Sequence, residues 1–263
     1  MITYERMQKP REWDGTSYDR ISATMEGLGR AVLDRLELAG DEVVLDAGCS
    51  SGRITQALLE RLPRGHVIAV DASPSMIEAA RRRLAGVPGA GEGSVELRLA
   101  DLLELELPGR VDAILSTATF HWIADHERLF ARLRELLRDG GRLVAQCGGL
   151  GNIDVLRGRA REVQRREPYV AHFDGWRPPW NYAAPEQTRE RLLGAGFSEA
   201  TCWLQDAPRQ PENPREFLST IVLGPHVQLL PAELREPFMD DVMTVLEMPV
   251  TVDYVRLNID ATA

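Results

Sequence analysis

The sequence predicts an α/β fold, a doubly wound and mostly parallel sheet with helical cap insertions. Three observations carry that expectation. Between residues 42 and 147 short apolar runs alternate with amphipathic helical stretches, the pattern of a parallel sheet covered by helices on both faces. Three successive runs reach an aspartate at the same sheet edge: Asp46, Asp71 and Asp101. After Cys147 the rhythm breaks into loops, aromatic stretches and further helices.

In order, residues 20–38 place Ile21, Met25, Leu28, Val32 and Leu36 at helical spacing. "EVVLDAG" (42–48) is a continuous apolar run, as in a strand buried on both faces. "RITQALLERL" (53–62) is helical, and "HVIAVD" (66–71) is a second buried strand. Ser73 as N-cap and Pro74 at the first helical position open the next helix. "SVELRLAD" (94–101) alternates as a strand does, and "VDAILS" (111–116) is another buried one. Asp125 caps a helix through Leu129, Leu133, Leu136 and Leu137, with Gly140 and Gly141 as its stop. "RLVAQC" (142–147) is a fifth strand.

Beyond it come a helix in "DVLRGRAREVQRRE", an aromatic Pro-rich segment, a helix in "PEQTRERLLGAGF" and an alternating strand in "EATCWLQDA". Helical stretches near 213–223 and 231–247 follow, then a closing strand in "VTVDYVRLNIDATA" with apolar groups on both faces. The expectation is one domain over residues 1–263. Residues 1–40 form an N-terminal lid and helix, and 41–147 the cofactor-binding core. Cap insertions span 148–184 and 206–248, and 185–205 and 249–263 supply the remaining core helix and strands.

A formal net charge of -9 argues against a protein that binds nucleic acid by neutralising phosphates. No apolar run approaches the ~18 residues of a membrane span, and the N-terminal stretch has no signal-peptide core. Cys49, Cys147 and Cys202 are widely separated, consistent with reduced thiols in a cytoplasmic protein. No Cys/His spacing suits a metal.

The chemistry concentrates at the strand ends. "VVLDAGCSSGR" places Gly48 and Gly52 in the turn between the first strand and its helix, where backbone approaches a ligand closely. The dinucleotide fingerprint needs glycine where Ser50 and Arg53 stand, which disfavours an NAD-dependent oxidoreductase. Asp46 suits a ligand carrying an ammonium group better than a phosphate. Asp71, 23 positions after Gly48, suits a pair of ribose hydroxyls. Asp101-Leu102 offers a carboxylate beside an apolar contact, as an adenine amine would require.

"VLDAGCSSG", "VIAVDASPSMIEAA", "LADLLELEL", "AILSTATFHWI" and "LRELLRDGGRLVAQ" resemble, in order and spacing, the successive motifs of class I S-adenosylmethionine-dependent methyltransferases. Ser50 stands where the usual DxGxGxG turn has its middle glycine. The resemblance implies a Rossmann-like sheet of seven strands, S-adenosylmethionine as cofactor with S-adenosylhomocysteine as product, and no metal. It places Gly48, Ser50 and Gly52, beside Asp46 and Ala47, at the methionine part. It gives Asp71 and Ala72 to the ribose, Met76 to the adenosine, and Ala100, Asp101 and Leu102 to the adenine. Ser116 and Thr117 then border the sulfonium. "FHWIADHERLF" and, more weakly, "WNYAAPEQTRERLLGAGF" are similar to the trans-aconitate and juvenile-hormone-acid methyltransferase group. "EWDGTSYDRIS" looks like that group's lid, with Trp13 and Tyr18 at its aromatic positions.

The acceptor decides whether a base is needed: a carboxylic acid of pKa ~4 is ionised at pH 7, and a phenol of ~10 is not. The tetrapeptide (Asn/Asp/Ser)-Pro-Pro-(Tyr/Phe), carried by many N-methyltransferases after the fourth strand, is replaced by "STATFHW". Trp122 is either an indole donor to a carboxylate or a wall near the sulfonium. His121 stays open between base, clamp and bystander, whereas Phe120 reads as core. "HFDGWRPPWNY" adds His172, Trp176, Arg177 and Trp180 as candidate substrate contacts, with Arg177 open between a carboxylate clamp and a surface arginine. The leading expectation is a methyl ester formed on a small carboxylic acid. The alternatives are phenol O- or carbon C-methylation with His121 or His172 as base, and a protein that binds the cofactor without turnover.

Overall fold

The computed structural model describes residues 26–87 and 94–263. Helix α1 (Glu26–Leu33) precedes β1 (Val43–Ala47), α2 (Arg53–Arg61), β2 (His66–Asp71), α3 (Pro74–Leu84), β3 (Val95–Leu99) and β4 (Val111–Thr117). A 3-10 turn, Phe120–Trp122, leads into α4 (His126–Leu136), β5 (Leu137–Gly148), α5 (Asp154–Gln164), a second 3-10 turn at Val170–His172, α6 (Pro185–Gly194) and β6 (Glu199–Asp206). Then come α7 (Pro214–Phe217) with a π-helical turn at Leu218–Val222, α8 (Gly224–Leu229), α9 (Ala232–Val245) and β7 (Val255–Thr262). Ile21 and Met25 of the first helical pattern lie outside the described residues.

The strands form one seven-stranded sheet in the order β3-β2-β1-β4-β5-β7-β6. Pairing is parallel from β3 to β5, and β7 runs antiparallel to both β5 and β6. Both faces are covered, which is why the early strands read as continuous apolar runs. Leu45, Ile68 and Ile114 pack on the face of α4 and α6 with Leu129, Leu133 and Leu192. Val44, Val67 and Leu115 pack on the other with Val32, Leu58 and Ile77. A separate cluster of α5, α7 and α9 residues, including Leu156, Phe217 and Phe238, packs with Tyr169 from the segment after α5 and builds the cap.

Two helix starts follow local chemistry. The Ser73 hydroxyl accepts the Met76 N–H at 3.4 Å, and an Asp125 carboxylate oxygen accepts the Arg128 N–H at 3.0 Å. The Gly140-Gly141 pair does not end α4. That helix stops at Leu136 and the strand begins at once with Leu137. The glycines instead lie within β5, where Val111 pairs with Leu137 but Ala113 pairs with Arg142. Gly140 at φ +76 absorbs that register shift. The closing strand also starts later than its alternation suggests: Val252 makes only a bridge to Arg209, and the ladder begins at Val255.

Candidate functional site

The carboxyl ends of β1, β2, β3 and β4 and the cap enclose one cavity of about 890 Å³. At its floor, the turn after β1 closes on β2 through the Gly48 and Cys49 N–H groups, both donating to the Val70 carbonyl at 2.9 Å. Gly48 has φ +89, and a Cβ there would stand 2.0 Å from the Thr119 hydroxyl, so only glycine fits. Ser50, also left-handed at φ 51, is held by its N–H donating to an Asp71 oxygen at 2.9 Å. Gly52 plays a packing part: its Cβ would come 3.2 Å from the Ala80 backbone on α3.

Asp46 is fully enclosed beneath this turn. The Thr55 hydroxyl donates to one oxygen at 2.6 Å, while the other oxygen is buried with no hydrogen-bond partner. Burial pushes its carboxyl up to about 6, against the opposing Thr55 bond and with a further rise from the Asp71 charge.

Asp71 stands in the cavity wall with each oxygen anchored, one by the Ser50 N–H and the other by the Ser73 N–H at 2.9 Å. A carboxylate has about four acceptor positions, so two remain for hydroxyl donors from a ligand. Burial raises its pKa, opposed by those backbone bonds. Met76, Ala100 and Leu102 supply an apolar slot next to it, and exposed Asp101 accepts the Leu103 N–H at 2.9 Å. An adenosine with its ribose hydroxyls on Asp71 fits these residues. The buried, unpartnered oxygen of Asp46 has no opening to the cavity and fits an ammonium donor through a bridging water.

The opposite wall is aromatic. The turn after β4 buries Phe120 against Phe130, with rings edge-to-face at 6.0 Å. His121 is also buried, between Trp122 at 5.1 Å and Tyr182 at 5.8 Å. Its Nδ1 accepts the Gly148 N–H at 3.3 Å, which assigns the ring proton to Nε2. Burial, followed by the nearby Arg256 charge, lowers its pKa to about 3. Trp180 stacks on Tyr182 at 5.7 Å, and Asn181 straps this segment down through its N–H to the His121 carbonyl at 2.8 Å. Beside them, Arg256 at the start of β7 lies over the Tyr254 ring at 4.2 Å.

Of the residues singled out in the sequence, the cavity wall holds Gly48, Ser50, Asp71, Ala72, Met76, Ala100, Asp101, Leu102, Thr117, His121, Trp122 and Trp180. Asp46, Ala47, Gly52 and Ser116 lie behind it, where the Ser116 hydroxyl donates to the Ala47 carbonyl at 2.7 Å. His172 and Trp176 do not reach the wall; Trp176 packs on His226 at 4.7 Å in the cap, and Arg177 is exposed. Trp13 and Tyr18 lie outside the described residues. The arginines of α5 include two with nearby acids: Arg157 pairs with Asp154, and Arg159 with Glu162 and Glu247. Sequence reasoning missed Asn152, Tyr254 and Arg256 in the wall. The signal for Arg256 was there: Arg256, Asn258 and Asp260 form a polar row on a strand whose other row is apolar.

Among the described residues no cluster of His, Cys, Asp and Glu could hold a metal, and no helix is long and apolar enough to cross a membrane.

A family model described as a methyltransferase domain matches residues 45–143. A trans-aconitate 2-methyltransferase of Methylobacterium nodulans is 30% identical over 197 residues, 74% of this chain and 68% of the relative. A malonyl-[acyl-carrier protein] O-methyltransferase of Anoxybacillus flavithermus is 31% identical over 149 residues, 57% of this chain and 55% of the relative. In fold, the phosphoethanolamine N-methyltransferase 2 of Haemonchus contortus, solved with S-adenosyl-L-methionine, aligns with a TM-score of 0.63. That alignment covers 100% of this chain and 60% of the neighbour at 16% identity.

Proposed function

This chain belongs to the class I S-adenosylmethionine-dependent methyltransferases, and we propose that it converts a carboxylate of a small molecule to its methyl ester. The observation that carries this reading is the state of His121. Its Nδ1 is engaged by Gly148 and its pKa lies near 3, so it takes no proton from an acceptor near neutral pH. The other titratable groups at the aromatic wall are no better suited: Tyr182 is raised by burial and Arg256 is a cation. Glu104 across the cavity is paired with Arg128. An oxygen nucleophile that meets this wall must therefore arrive ionised, as a carboxylate does and a phenol does not. The names of the trans-aconitate and malonyl relatives support the same acceptor class.

Bound S-adenosylmethionine supplies an electrophilic methyl on a sulfonium. The chain's part is placement, which is worth up to ~7–11 kcal/mol in a well-oriented displacement. Asp71 holds the ribose hydroxyls, Met76 and Leu102 sandwich the base, and Gly48 allows the methionine part against the backbone. Thr117 and Trp122 border the acceptor path from the end of β4. The His121 Nε2–H donates to the acceptor rather than accepting from it. Residues 148–184 and 206–248 select the acceptor by closing the cavity from the cap side.

Incubation with labelled S-adenosylmethionine and a mixed pool of acids, phenols and prenyl compounds tests this, with mass spectrometry of the products. Labelled methyl esters are expected. Label confined to phenols or carbon would overturn the reading.

A further inference from the structure

Arg256 is 4% exposed and lies in the cavity wall. Its Nε is buried without a hydrogen-bond partner, and among the described residues no acid forms an ion pair with it. The polar residues on its own side of β7 are committed elsewhere. Asn258 accepts from Arg35 and from Gln146 Nε2, the latter at 2.8 Å, and Asp260 pairs with Arg35 at 3.2 Å. The Tyr254 face offsets part of the desolvation, but a buried guanidinium without a counter-charge is costly. Such a group is held for a ligand, and its planar fork matches a carboxylate.

We propose that Arg256 anchors a second acidic group of the acceptor, one that is not itself methylated, so that the preferred substrates carry two or more carboxylates. This rests on the carboxylate reading above. The placement distinguishes the two groups. Arg256 pairs with Gly148 on β5, and β5 pairs with β4. Two strand spacings, roughly 10 Å, thus separate its backbone from the strand that borders the methyl donor. Chemistry agrees: a guanidinium gripping both oxygens of the reacting carboxylate would withdraw charge from the lone pair that must attack. Gripping a distant carboxylate leaves that lone pair free and fixes the molecule's orientation. His121 and Tyr182, neutral neighbours, leave the cation's charge undiminished.

Calorimetric titration of the S-adenosylhomocysteine-loaded protein with succinate, glutarate and trans-aconitate, and with succinamate and glutaramate, tests the anchor. Wild type is expected to bind the diacids roughly 10-fold or more tightly than their monoamides. Arg256→Met is expected to abolish that preference while binding S-adenosylhomocysteine as wild type does. Should Arg256→Met lose S-adenosylhomocysteine, Arg256→Gln takes its place with the same loss expected. A preference that survives removal of the charge overturns the proposal. So does a wild type that shows none, including one that binds no diacid at millimolar concentration. The product's mass spectrum reports separately on the ester reading. Label on carbon or a phenol with the Arg256-dependent preference intact sinks the ester and keeps the anchor. A methyl ester without that preference does the reverse.

Discussion

The Gly148 N–H donates to His121 Nδ1 at 3.3 Å, and this bond turns an imidazole in the aromatic wall into a fixed donor. With the pKa lowered to about 3 by burial and by Arg256, the ring stays neutral throughout the neutral range.

At saturating S-adenosylmethionine, where the Asp46 titration near 6 no longer limits cofactor binding, turnover should accordingly be flat between pH ~6 and ~8, because neither His121 nor a carboxylate acceptor titrates there. His121→Asn, whose amide can accept from Gly148 and still donate, should keep most of the rate and the same flat profile. A wild-type rate rising through pH ~6.5 would restore a histidine base.

The second buried imidazole makes a stability prediction. His226 sits in the cap among Trp176, Trp180, Phe173 and Phe238, with Nδ1 buried and unpartnered, and burial lowers its pKa to about 3. A lowered folded-state pKa means that the unfolded chain binds the proton more readily. The contribution is therefore complete above the unfolded value of ~6.5 and is lost as pH falls from there towards 3. His226→Leu should close its stability gap to wild type, or overtake it, as melts move from pH ~7 to ~4. A gap independent of pH would contradict this.

Asp46 works in the opposite direction. Its carboxyl is raised from 3.8 to about 6, so the folded protein favours the proton. The resulting cost is absent below the unfolded pKa and grows as pH rises through about 6, up to about 3 kcal/mol. Asp46→Asn should gain on wild type over that window in cofactor-free melts and level off above it. It should also bind S-adenosylhomocysteine more weakly, as calorimetry would read. Unchanged affinity would remove Asp46 from the cofactor's surroundings.

Asp71 joins structure and binding. Asp71→Ala strands the Ser50 and Ser73 N–H groups, at ~1–3 kcal/mol each if no water replaces the carboxylate. Both S-adenosylhomocysteine affinity and melting temperature should fall. Asp71→Asn, which can still accept from one of them, should lose less stability but a similar share of affinity. If the affinity of both variants matches wild type, the ribose assignment is wrong.

Much of this was written locally. Residues 43–45, 67–70 and 113–115 are apolar on both faces because helices cover both, and a chain with that pattern has few other ways to bury it. Ser73 and Asp125 cap helices by accepting the N–H of the residue three positions on, so their role needs no distant chain. Gly140 and Gly141 misled because glycine after a helix is usually a stop, whereas here the strand begins before them and they take up a bulge.

The sequence by itself determined the sheet, its edge of aspartates and the order of the residues along that edge, since each depends on periodicity and on turns a few residues long. Tertiary structure decided the chemical state of the aromatic wall, although His121, Trp122 and Trp180 in it stood out in the sequence. His121 and Gly148 are 27 residues apart, and Arg256 joins them only because β7 inserts antiparallel between β5 and β6. Burial by that distant packing fixes whether an imidazole is a base or a donor, and whether a guanidinium has a partner. Neither property is encoded in the residue or in its neighbours along the chain.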